Sequence, residues 1–153
     1  IPDDVAFVFI ARTWAHSTGE GPVAFATQPR QVLRLRPAPT RDIPPRPQGG
    51  LKLGAGPGLA LRDENRLADA HLLAWLEDVA QEAGVPWQAF VPTERSFTWT
   101  SAPRVAEGVP TLTMVLPVRY LTTPYERVHA ADIRALQQWL RALLAALERA
   151  PYS

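Results

Sequence analysis

Six apolar residues in a row, Val5 to Ile10 (VAFVFI), are β-branched or aromatic at most positions and predict a strand buried on both faces. Gln31 to Arg36 (QVLRLR) alternates apolar and polar positions, which predicts a second strand with one wet face. Between them, Pro22 to Ala26 is short enough for only a small helix or a turn. From Leu67 to Ala83, Leu67, Ala70, Leu72, Leu73, Leu76, Val79, Ala80 and Ala83 recur at three-and-four spacing, the stripe of an amphipathic helix, with Gly84 as its C-terminal stop and Pro86 beyond. Trp87 to Val91 predicts a strand, and Pro110 to Leu116 (PTLTMVL) a buried strand ended by Pro117. The last element, Ala131 to Ala150, repeats Ile133, Leu136, Leu140, Leu143, Leu144 and Leu147 along one helical face. Asp132 near its start favours the positive end of the helix dipole. Buried strands alternating with amphipathic helices predict an α/β fold with a sheet that is at least partly parallel.

Composition narrows this picture. The 153 residues fit a single domain, 1–153, and 46% hydrophobic residues suffice for a core. No apolar run reaches the length of a membrane span, and a net charge of +1 argues against nucleic acid as a partner. The chain is therefore expected to work in the cytoplasm, free of membrane and nucleic acid. Without cysteine there is no disulfide scaffold and no thiolate chemistry. Proline and glycine fill eleven of the 22 positions from 37 to 58, so that stretch is expected to be a loop. The chain opens at Ile1 and enters an apolar strand almost at once, with no crossover before it, so the first half of a larger sheet is expected to be missing.

Local chemistry is sparse. His16, His71 and His129 are scattered, with no paired spacing for a metal. No serine lies in a nucleophile elbow, and Gly54, Gly56 and Gly58 lack the lysine and helix of a phosphate loop. Between Pro29 and Lys52, Arg30, Arg34, Arg36, Arg41, Arg46 and Lys52 face Asp42 alone. Arg34 and Arg36 fall on one side of a strand and could hold a small anion or a peptide carboxylate.

The segment Glu107 to Val128 (EGVPTLTMVLPVRYLTTPYERV) is specific. Gly108, Val109, Pro110, Thr111, Arg119, Tyr120, Pro124 and Glu126 resemble the closing motif of the dinuclear-metal aminopeptidases, which include glutamyl aminopeptidases and tetrahedral-particle peptidases, some labelled endoglucanase. Gly54, Gly56, Pro57 and Asp63 extend the likeness upstream. The resemblance implies a zinc-exopeptidase-like mixed sheet sandwiched by helices, here without its N-terminal half. It also implies two divalent ions, zinc or cobalt, with a glutamate as general base. The family's base position falls on Thr13 and its ligand positions on Trp14, Arg36 and Thr122, and none of the four residues supplies the replaced group. Trp14 and Trp99 are expected at the mouth of the vacated cleft, filling it or lining a pocket. These substitutions lead to the expectation of no catalytic residue, no metal ligand and no cofactor, in a non-catalytic domain kept for binding or assembly. The alternatives are an active metal-dependent aminopeptidase completed by an upstream half or partner chain, and an anion or peptide module built on Arg34 and Arg36. An open sheet edge predicts a homo-oligomer or another chain covering it.

Overall fold

The computed structural model describes residues 5–10, 19–42, 50–62, 67–92 and 109–152. Helix α1 (Glu20–Thr27) leads into strand β1 (Val32–Pro39), followed by β2 (Gly58–Ala60), α2 (Ala70–Glu82), β3 (Gln88–Phe90), β4 (Thr111–Val118) and α3 (Ala130–Ala145). A short 3-10 turn, Leu147–Arg149, closes the chain. The four strands form one mixed sheet in the order β1-β4-β2-β3. β1 runs parallel to β4, β2 parallel to β3, and β2 antiparallel to β4. A mixed α/β sheet with helices is the architecture the sequence implied.

The main core lies on one side of this sheet. Leu59, Leu112 and Met114 project from the strands against Leu72, Leu76, Val79 and Ala80 of α2 and Ala135, Trp139 and Leu143 of α3. Trp139 is fully buried, and its indole N–H donates to Leu76 O at 3.1 Å, so the largest core side chain carries no unpaired polar atom. The opposite side holds a smaller cluster of Ala38, Leu51 and Val115, with Phe90 against it.

Helix α2 begins later than its apolar stripe suggests. Asp69 accepts from Leu72 N–H at 2.9 Å as N-cap, so Leu67 and Ala68 lie outside the helix, and Leu67 bridges back to Arg62. Its end follows the glycine rule. Gly84 takes φ +63°, and Val85 N–H returns to Ala80 O at 2.9 Å.

Three expectations change. Val5–Ile10 belongs to no sheet, and Phe7, Val8 and Phe9 are exposed, because no described strand lies beside them to bury them. Strand β4 does not stop at Pro117 but continues through it to Val118. Thr40 N–H donates to Val118 O, so Val118 points its backbone groups at β1 and Pro117 points the other way. β2 pairs only with Thr113–Val115, so the missing N–H of Pro117 breaks no ladder bond. Third, the proline- and glycine-rich stretch is shorter than 37–58: Pro37–Pro39 complete β1 and Gly58 opens β2, while 43–49 lie outside the described residues.

Candidate functional site

Of the residues singled out by the motif, Val109, Pro110 and Thr111 lead into β4, whereas Arg119, Tyr120, Pro124 and Glu126 lie beyond its C-terminal end, a usual place for ligand sites in α/β sheets. Arg34 and Arg36 project from β1 on the same side, away from the main core. That face was expected to be wet, yet Arg34 is 6% exposed. Glu20, the first residue of α1, explains this. Its Oε2 lies 3.2 Å from Arg34 Nη2, and its Oε1 accepts from Arg36 Nη2. An anion at these arginines is thus already present, supplied by the chain itself.

A second ion pair joins the two strand ends. Just past β1, Asp42 accepts from Arg119 Nε at 3.1 Å and Nη2 at 2.8 Å, the bidentate geometry that suits a guanidinium fork. Leu53 N–H donates to the same carboxylate at 3.0 Å. The Arg119 hydrogen bonds come first among the causes that hold the Asp42 carboxyl far below the usual carboxylate range, outweighing burial, which acts the other way. Arg119 is correspondingly raised by its bond to Asp42. The arginine of the C-terminal motif therefore ties β4 to the end of β1.

Beyond Arg119 the motif folds back on itself. Arg119 N–H donates to Arg127 O at 2.9 Å and Arg127 N–H to Arg119 O at 3.0 Å. Within that turn Tyr120 and Thr122 have φ of +57° and +70°, uncommon for residues with side chains. Thr123 Oγ1 donates to Tyr120 O at 2.7 Å, Thr122 N–H donates to Glu126 Oε1 at 2.8 Å, and the Arg127 guanidinium lies 6.0 Å from the Tyr120 ring centre. Glu126, a motif residue, thus braces the backbone at the exposed Thr122.

The floor of the region is the turn before β2. Asp132, in the first turn of α3, is fully buried and accepts from Gly54 N–H at 2.8 Å and Gly56 N–H at 2.9 Å. Gly56 has φ +97°, and a Cβ there would collide with the Pro86 carbonyl, so the motif glycine is required sterically. Gln88 holds the same turn from β3: its Oε1 accepts from Lys52 N–H at 2.9 Å and its Nε2 donates to Lys52 O and Gly56 O at 3.0 and 2.7 Å. The dipole role expected of Asp132 is joined by this buried clasp.

Of the residues singled out in the sequence, Arg34 and Arg36 come together, and Thr122 lies in the exposed turn. Thr13, Trp14, His16, Asp63 and Trp99 lie outside the described residues. His71 and His129 are exposed, and His129 caps α3 through Nδ1, accepting from Ala131 N–H at 3.2 Å. Sequence reasoning missed Glu20, the pairing of Asp42 with Arg119, and the clasp of Asp132. Only Asp42 carried a signal, as the single acid in an arginine-rich stretch.

The M42 glutamyl aminopeptidase family matches residues 17–139. The chain belongs to that family. A protein of Acetivibrio thermocellus described as "Putative aminopeptidase" is 24% identical over 131 residues, which cover 86% of this chain and 40% of that protein. Among solved structures, an aminopeptidase from the archaeon Desulfurococcus kamchatkensis superposes with a TM-score of 0.73 at 22% identity, covering 82% of this chain and 37% of its own. The TET1 peptidase of Pyrococcus horikoshii gives a TM-score of 0.65 at 21% identity, with 84% and 37% covered. The chain thus spans well under half the length of these M42-like proteins.

Membership corrects the expectation of no cofactor: M42 is a family of dinuclear-metal aminopeptidases, so two metal ions are the cofactor the family implies. The described residues do not form a cradle for them. Glu20 is engaged by Arg34 and Arg36, Asp42 by Arg119, and Glu126 by a backbone N–H. Among the described residues no three His, Asp or Glu side chains converge as a metal site would need. No helix among the described residues is long and apolar enough to cross a membrane.

Proposed function

We propose that this M42 segment serves binding or assembly rather than peptide-bond hydrolysis. The observation that carries the reading is the pairing of Arg36 with Glu20. Where the family resemblance calls for a metal-ligating carboxylate, the chain has a guanidinium that binds a carboxylate instead. A fixed positive charge there opposes a divalent cation, and burial strengthens the opposition because water screens it less. Asp42, the nearest acid beyond β1, is committed to Arg119 in the same way.

Assembly has support in the relatives. The Pyrococcus horikoshii TET1 peptidase can assemble into a tetrahedron or a large octahedral shell. An M42 scaffold can thus act through contacts between copies, and this chain is read as a homo-oligomer.

The test is turnover of aminoacyl substrates by the purified chain with zinc or cobalt supplied. No turnover above the metal-only background is expected. Turnover that rises with added metal and is lost on chelation would defeat the proposal. One observation favours a second reading, an active aminopeptidase completed by further polypeptide: the match spans only 40% of the Acetivibrio relative. That reading predicts turnover once the longer natural protein is assayed, and a large loss of it when Glu20 is replaced.

A further inference from the structure

Helix α1 brings little stability of its own to the fold. It has eight residues, too few to hold a helix in water unaided. Gly19 stands at its N-cap without a side-chain cap, and it ends on Gln28 at φ +43°, a left-handed conformation uncommon for a residue with a side chain. Its buried residues are Glu20, Gly21 and Ala24, while Phe25 is 73% exposed. Glycine and alanine remove little apolar area from water, so the seating of α1 leans on Glu20.

That acid sits where two arginines form a receptor for a carboxylate. Arg34 and Arg36 stand on one side of β1, and a single carboxylate spans both: Arg36 Nη2 donates to Glu20 Oε1, and Arg34 Nη2 lies 3.2 Å from Oε2. The Arg34 side chain is 5% exposed, so the pairing takes place where water screens it weakly. The fit is incomplete. Glu20 Oε2 is buried and accepts no hydrogen bond among the described residues, since Arg34 Nη2 meets it in distance but not in direction. A buried acceptor left in that state costs stability, and a carboxylate not tethered to a helix is free to turn both oxygens to their donors. We propose that Arg34 and Arg36 are a carboxylate-binding site which Glu20 occupies as a built-in competitor, and that an external carboxylate binds by displacing Glu20 and unseating α1. This inference rests on the binding half of the reading above and gives it a site, a ligand class and a gate.

Acetate, titrated at pH 7 and constant ionic strength into the 153-residue chain and followed by NMR, tests it. Glu20→Ala removes just the two carbons and the carboxylate that acetate replaces. Because a competitor that fills the site most of the time lowers apparent affinity by the fraction left open, Glu20→Ala is expected to bind acetate about tenfold tighter than the parent or more. In the parent, acetate should speed amide exchange at Gln28, whose N–H donates to Ala24 O within α1. Arg36→Gln should abolish both effects. If Glu20→Ala fails to fold by circular dichroism, Glu20→Gln removes the charge at nearly constant shape and carries the test. A dipeptide and its C-terminal amide, run alongside, separate peptide ends from free acids as the source of the carboxylate, and binding of either source sustains the inference. Equal affinity in the parent and the folded Glu20 variants, binding that leaves Gln28 exchange unchanged, or the same response to chloride overturns it. None of these results is read from turnover, so the inference can fail while the non-hydrolytic reading stands, and metal-dependent turnover can defeat that reading without touching these titrations.

Discussion

The two sides of the sheet are held by different physics. Toward α2 and α3, Leu59, Leu112 and Met114 meet Leu76 and Trp139 in a continuous apolar layer. On the other side, near β1, Glu20 gathers Arg34 and Arg36, and Asp42 grips Arg119. The first side draws its stability from area removed from water, which does not titrate with pH. The second depends on charges whose desolvation cost offsets much of their attraction, so it contributes geometry more than stability. The side expected to carry chemistry has become the side organised by internal ion pairs, whereas the purely structural side follows the pattern its sequence predicts.

Substitutions can break that contrast, beginning with the apolar side. Trp139→Ala should cost about 4 kcal/mol in urea unfolding, because it opens a large cavity and leaves Leu76 O without its indole partner. Asp132→Ala should cost about 3 kcal/mol by the same measurement, since two backbone N–H groups lose a charged acceptor in a buried place. Glu20→Leu should cost about 2 kcal/mol, less than truncating a fully buried ion pair, because Arg36 retains some access to water. If Glu20→Leu proves costlier than Trp139→Ala, the charged side is the stronger one and the contrast fails.

Acid sharpens the same comparison. The Asp42 carboxyl is lower in the folded chain than in the unfolded one, so its contribution is complete above the unfolded value of about 4. It is lost as pH falls from there through the lowered folded value. Unfolding midpoints measured between pH 7 and pH 2 should drop in that window for the parent chain and drop less for Asp42→Asn. At the weak end, Arg149→Ala breaks the exposed pair with Glu82 and should leave the urea midpoint unchanged within error.

Much of the fold was legible because it follows periodicity. The α2 stripe and the run of β4 reported their burial directly, and Gly84 marked the end of α2. Val5–Ile10 lies outside the sheet among the described residues, because an apolar run states that a segment can be buried and not which neighbour buries it. Pro117 misled, since proline forbids a strand only where its missing N–H faces a partner. In the site, Arg36 was legible as a departure from the family pattern, but Glu20 was not. It lies 16 residues before Arg36 in sequence, and no local spacing links a helix start to the face of the following strand.

The clasp of Asp132 also has a bearing on the order of folding. It joins Gly56 to a residue 76 positions later, so the turn before β2 cannot take its final shape until the last helix has formed and docked. Loop closure over such a distance is entropically slow. The short β2 strand, central in the sheet and pinned through that turn, should therefore be among the last parts to gain protection during refolding, while α2 and α3, built from local contacts, come first.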